Sequence, residues 1–189
     1  LLPVRELETR SYELDNDKNA YEALTYELLS NWVVKKAKED SQSIESEIRP
    51  LLSAFFSSPW AFEDELYSVE KRGVHLDKEL ITNAERWASF EKDIIEHVVD
   101  VIDDPDKYAD YYSTRLITVL NSIYDDLYDQ KIVLFTNYKG TFDAYGLALG
   151  KLFPAEEVSF FGSGMDKDEL ELNAYRFQND SSCRLMLCD

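Results

Sequence analysis

Apolar residues fall in short solid runs over the last third of the chain and at helical spacing before it. Ile132-Val133-Leu134-Phe135-Thr136 is rich in β-branched and aromatic residues and bounded by polar turn residues, which predicts a buried strand. After Asn137-Tyr138-Lys139-Gly140, the residues Phe142, Tyr145, Leu149 and Phe153 recur on one helical face until Pro154 closes the pattern. A second strand is predicted at Val158-Ser159-Phe160-Phe161, ending in Gly162-Ser163-Gly164. Asp166 with Glu169 three residues on forms a capping-box pattern for a helix carrying Leu170, Ala174 and Phe177. Arg184-Leu185-Met186-Leu187-Cys188 reads as a third strand. Strand, helix, strand, helix, strand implies a parallel sheet with right-handed crossovers.

Upstream the period changes to that of helices. Residues 5–14 carry a weak alternating pattern that suits a strand, and Asp15 or Asp17 then caps a helix with the stripe Tyr21, Leu24, Leu28 and Trp32, fading into the charged run 35–40. A polar linker, Ser41-Gln42-Ser43, leads to Ile44, Ile48, Leu51, Phe55 and Phe56, with Pro50 inside the pattern predicting a kink or restart. Ser57-Ser58-Pro59 is a helix start, a serine cap with proline at the first helical position. That helix carries Trp60, Phe62 and Leu66 and ends at Lys71-Arg72-Gly73. One longer helix is predicted over residues 77–104, burying Leu80, Trp87, Ile94, Ile95, Val98 and Ile102, with Pro105 ending it. A last helix carries Leu116, Leu120, Ile123 and Leu127. The three tryptophans, Trp32, Trp60 and Trp87, lie on apolar stripes and read as core. Five of the six glycines follow residue 139, which marks the change of architecture. The fold class is therefore α/β: a mostly helical region over 1–130, then a partial parallel β-α-β-α-β sheet over 131–189.

Charge sharpens that division. The chain of 189 residues has a formal charge of −18. Residues 1–130 hold 14 Lys/Arg and 29 Asp/Glu, against 6 and 9 in residues 131–189. Such an acidic surface repels phosphate backbones, so the helical part is not a DNA grip. Cys183 and Cys188 bracket one predicted strand at odd spacing, which puts them on opposite faces and forbids a bridge within it. Buried reduced thiols are expected, in keeping with a cytoplasmic protein. No apolar run is long enough to span a membrane, and no membrane partner is expected. The chain begins without methionine and ends at the tip of a strand, where parallel α/β domains place functional loops, so it is expected to be a fragment.

Candidate chemistry is sparse. Neither a P-loop nor a G-x-G-x-x-G fingerprint is present. Gly146 and Gly150 lie one turn apart and suit close helix–sheet packing. His75 and His97 have no ligand or triad spacing, and the acidic clusters at 103–106 and 125–129 lack the loop pattern of a calcium hand. Gly162-Ser163-Gly164 either brings backbone N–H groups to a phosphate or is a plain turn. Thr136, Asn137, Lys139 and Thr141 stand where a strand passes into a helix, a place suited to gripping a phosphate through the helix N-terminus. An ordinary helix cap would use the same residues, and spacing does not separate the two.

The run from Lys131 to Leu149, KIVLFTNYKGTFDAYGLAL, resembles motif IV of the second RecA-like lobe in SNF2-type superfamily 2 helicase-like ATPases. The strand ending at Phe160-Phe161-Gly162, the helix reaching Arg176-Phe177, and Cys183–Asp189 as the strand into motif V continue it in order. Leu2-Pro3-Val4-Arg5 with Tyr12-Glu13-Leu14 and Tyr21 is similar to the segment after the first lobe. Ser57-Ser58-Pro59-Trp60-Ala61 is similar to the Ser-Ser-Pro-x-Ala of bacterial, RapA-like members. Two positions depart from the pattern: Ser113-Thr114-Arg115 stands where relatives often have Asp-[ST]-Lys, and Glu169–Glu171 lacks an early arginine.

This resemblance implies a truncated C-terminal helicase lobe, RecA-like, preceded by an inter-lobe helical insert. The parent would be a DNA-stimulated ATP hydrolase using ATP and Mg²⁺, acting on duplex DNA or on a DNA-bound complex such as RNA polymerase, in the bacterial cytoplasm at the nucleoid. The P-loop lysine, the Mg²⁺-holding acid and the arginine finger of such chemistry are not in this stretch. The segment alone is therefore expected to bind no ATP and to hydrolyse none, with no catalytic or metal-ligating residue. Its implied nucleic-acid contacts are Thr136, Asn137, Lys139, Thr141, Gly162 and Gly164. The alternative is a non-catalytic acidic helical protein-interaction module with a small α/β cap.

Overall fold

The computed structural model describes Leu14 and residues 17–39 and 42–189. The weak strand pattern over 5–14 and the Asp15 cap lie outside the described residues, Leu14 excepted. Nine α-helices and three strands follow among the described residues: α1 (Ala20–Glu39), α2 (Arg49–Ser57), α3 (Pro59–Lys71), α4 (Lys78–Glu96), α5 (Val98–Asp103), α6 (Ala109–Tyr112), α7 (Arg115–Asn121), β1 (Ile132–Phe135), α8 (Lys139–Leu152), β2 (Val158–Phe161), α9 (Lys167–Asn179) and β3 (Leu185–Cys188). The chain is thus a mostly helical α/β protein with a small parallel sheet.

Local chemistry accounts for most boundaries. Pro50 does restart the chain: a wide turn over Ile44–Ile48 gives way to α2 with the proline in its first turn. Ser58 caps α3, its hydroxyl accepting the Ala61 N–H at 3.1 Å. Gly73 takes the only positive φ among the described residues, 87°, just after α3 ends, where a side chain would be strained. Asp166 caps α9 through the Glu169 N–H at 2.8 Å. Asp17, the other expected cap of α1, lies in a turn three residues before that helix.

Two expected helices are corrected. The inward stripe of α1 is Glu22, Ala23, Thr25, Leu29 and Trp32, while Tyr21 and Leu24 are exposed. The rotation follows from buried polar partners: Asn83 donates to the Thr25 hydroxyl at 2.7 Å, and Arg115 pairs with Glu22 at 2.8 Å. The helix expected over 77–104 breaks at His97, which is exposed and takes φ −111° and ψ 15°. Val98 and Val101, rather than Ile102, are the buried residues beyond the break, and they pack with α8.

The sheet order is β1-β3-β2, all parallel, with Phe135, Cys188 and Phe161 in register at the carboxyl edge. Phe142 of α8 meets Phe160 with ring centres 6.2 Å apart, while the adjacent Ser159 hydroxyl donates to the Asn173 carbonyl of α9. Neighbouring residues of a strand point to opposite faces, so α8 and α9 cover opposite faces of the sheet. Two crossovers of one hand require this arrangement when the second reverses direction. Central β3 is buried throughout, but β1 is an edge strand: Phe135 is 80% exposed and Val133 also faces solvent. The expectation of a wholly buried β1 is therefore corrected, because α9 packs against β2 and leaves the β1 side of that face open.

Apolar packing does not divide at residue 130. One cluster joins Leu29, Trp32, Leu51, Phe55, Phe62, Leu80 and Trp87. The other joins Ile94, Val98, Leu116 and Leu120 to Leu149, Val158, Leu185 and Leu187, so the helices after Trp87 share a core with the sheet. At the seam lies a polar knot. Arg115 pairs with Glu22, donates to the Phe55 carbonyl at 3.0 Å and the Phe56 carbonyl at 2.7 Å, and lies over the rings of Phe55 and Trp87. Buried Glu91 accepts the Trp87 Nε1–H at 2.9 Å. Burial pushes its carboxyl up to about 8, the Glu22 charge adding to the effect and Arg115 opposing it.

Candidate nucleic-acid interface at the carboxyl edge of the sheet

The carboxyl edge of a parallel sheet is where short strand–helix loops bring backbone and side-chain polar groups together. Here the β1–α8 loop, the C-terminal turn of α2 and α7 enclose an open cleft of about 550 Å³. Phe56, Val119, Leu134 and Leu187 supply apolar walls, and Ser57, Thr136, Asn137 and Thr141 supply hydroxyl and amide groups. Among the described residues no charged side chain lines it.

Of the six residues expected to contact nucleic acid, the fold gathers Thr136, Asn137, Lys139 and Thr141 at this end of β1. The Thr136 hydroxyl accepts the Tyr138 N–H at 3.2 Å, turning the chain into α8. Asn137 is exposed beside it. Lys139 reaches Asp143 at 2.6 Å, but both side chains are more than half exposed, so this i,i+4 pair contributes little and the ammonium can exchange partners. Thr141 has a different position from its neighbours. It is buried, and its hydroxyl shares hydrogen bonds with Ser57 at 2.8 Å and Ser58 at 2.6 Å, so it fastens α8 to the start of α3.

Gly162 and Gly164 sit apart, beyond β2, with β3 between them and the cleft strand. Their loop already holds an anion of its own: the Ser163 N–H and hydroxyl donate to the two carboxylate oxygens of Asp189 at 2.7 and 2.9 Å. A β-carbon at Gly162 would lie 2.9 Å from the Phe142 ring, which explains glycine there by close approach. A β-carbon at Gly146 would face Phe160 and Leu187, as helix–sheet packing requires, but among the described residues nothing lies within 4 Å of a β-carbon placed at Gly150, and its expected packing role is corrected.

Asp189 and the Ser57–Ser58–Thr141 junction were not found from the sequence. A carboxylate at a strand end and two serines before a proline each have a local reading, and only the fold joins them to residues 26 and more than 80 positions away. Both cysteines are free and buried, and burial followed by the Asp189 charge pushes the Cys188 thiol up, which suppresses thiolate chemistry at this edge. Among the described residues no group of three or more His, Cys, Asp or Glu could hold a metal ion, and no helix is long and apolar enough to cross a membrane.

The junction makes a measurable prediction. Ser58→Ala removes the α3 cap and one of the two partners of Thr141, and is expected to cost about 1–2 kcal/mol of stability in urea unfolding. A loss below about 0.3 kcal/mol would mean that the Ser57 hydroxyl supports the junction without Ser58.

No family model, no curated protein and no solved structure matches the chain.

Proposed function

We propose that the chain is part of an SNF2-type ATP-dependent DNA translocase of the bacterial, RapA-like kind, supplying the inter-lobe helices and the opening strands of the second RecA-like lobe. The observation that carries this reading is the run Lys131–Leu149, in which a motif IV-like strand leads into Thr136, Asn137 and Lys139 at the carboxyl edge of a parallel sheet. On this reading those three residues follow the DNA backbone, Thr141 holds α8 in place for them, and Gly162 and Gly164 shape the neighbouring loop. ATP and Mg²⁺ bind elsewhere in the parent, and duplex DNA, alone or within a complex such as RNA polymerase, is the partner.

The test is DNA-stimulated ATP hydrolysis by the full-length protein. Asn137→Ala and Lys139→Ala are each expected to lower the stimulation by about tenfold while leaving the DNA-independent rate intact, as loss of a positioning contact does. A full-length protein with no ATPase activity would remove the motor reading. The acidic helical interaction module would then stand, favoured by the separate all-helical core of α1–α4.

A further inference from the structure

A second surface lies on the far side of α8 from the sheet. There α3, α4 and α8 enclose an open groove of about 480 Å³. Its floor is apolar: Ile95 and Ala144 are buried, Trp60 is half-buried, and Leu147 stands 63% exposed. Its rim is acidic, with Glu63 and Asp64 on α3, Glu96 at the end of α4 and Asp143 on α8. Two lysines also line it. Lys151 donates to the Ile95 and Glu96 carbonyls at 3.1 and 3.2 Å, neutralising the C-terminus of α4 rather than the rim, and Lys92 is exposed. Burial first, and then the charges of Glu85 and Asp64, raise the Glu63 carboxyl above its ordinary range, as expected where carboxylates crowd without enough cations.

We infer that this groove docks a basic amphipathic helix of a protein partner. The shape argues for a helix: the stripe Gly140, Ala144, Leu147 and Lys151 runs along α8 for about 16 Å, the length of three helical turns, with Leu147 as its exposed apolar side chain. At Gly140 a β-carbon would stand 3.1 Å from the Trp60 β-carbon, so α3 and α8 touch at the first turn of α8 and bound the groove there. Charge selects the partner. An acidic rim on a chain of formal charge −18 attracts lysine and arginine flanking an apolar stripe, and it repels a second copy of this chain, nucleic acid and anionic lipid alike. The inference is independent of the motor reading, since the groove shares no residue with the carboxyl-edge cleft.

Calorimetric titration of the whole chain with two synthetic helical peptides of about 14 residues tests it. Both carry leucine at i, i+4, i+7 and i+11; one has lysine and the other glutamate at all remaining positions. The lysine peptide is expected to bind one-to-one with micromolar affinity that weakens with salt, and the glutamate peptide to show no heat of binding. Leu147→Ser, and separately Glu63→Lys with Asp64→Lys, should each weaken the lysine peptide about tenfold or more. Glu169→Lys with Glu171→Lys on α9 is the control and should leave binding within about twofold. Equal binding of the two peptides would overturn the inference. So would equal losses from the α3 and α9 charge reversals, or no effect of Leu147→Ser, because binding would then be charge attraction without a groove.

Discussion

Replacing Arg115 with alanine is expected to cost about 3–5 kcal/mol in urea unfolding, among the largest losses for any single change in this chain. Its partner Glu22 has a side chain only 4% exposed, and would lose the guanidinium that pairs with it inside the fold. The Phe55 and Phe56 carbonyls, which end α2, would lose their donors, and the rings of Phe55 and Trp87 the flat guanidinium that spans them. Glu91, next in the knot, would lose the one cation that lowers its carboxyl pKa. The double replacement Glu22→Leu with Arg115→Met provides the decisive comparison. It removes both charges and keeps the volume, and should regain most of the loss. A loss below about 1 kcal/mol for Arg115→Ala would show that the pair with Arg115 is not what holds the Glu22 charge.

The second large effect is on pH dependence. Glu91 has a folded-state pKa of about 8 against an ordinary value of 4.5. Below pH 4.5 both folded and unfolded chains hold the proton, and the contribution to stability is complete. Between 4.5 and 8 the folded chain keeps a proton that the unfolded chain has released, so stability falls as pH rises, by up to about 1.4 kcal/mol per pH unit. Above 8 the contribution is gone. Glu91→Gln keeps an acceptor for the Trp87 indole and carries no proton to lose. Its stability relative to the parent chain should therefore climb steadily from pH 5 to pH 8, until the variant is the more stable. Glu63 titrates in the same direction but is common to both chains, so the difference isolates Glu91. Parallel stability–pH curves for the two chains would refute the assignment.

The strands, the Pro50 restart, the Ser58 and Asp166 caps and the stop just before Gly73 were legible because each depends on residues within one turn of it. What failed depends on distant partners. Nothing near Glu22 or Thr25 marks them as inward; their partners are Arg115 and Asn83. The break at His97 has neither proline nor glycine to announce it, and arises because Val98 and Val101 must reach α8. Phe135 reads as core by composition and is exposed by topology, since β3 enters the sheet between β1 and β2 and leaves β1 at the edge. The carboxyl-edge cleft was half legible. Thr136, Asn137 and Lys139 were visible as a strand–helix junction, but the uses of Thr141 and Asp189 were not.

The hydroxyl junction of Ser57, Ser58 and Thr141 joins the first turn of α3 to the first turn of α8, two segments more than 80 residues apart in sequence. Neither turn can fray alone without breaking bonds held by the other. In native-state hydrogen exchange, the amides of Ala61 and Phe62 should therefore open with the same free energy as that of Phe142, as one cooperative unit that unites the helical region with the sheet.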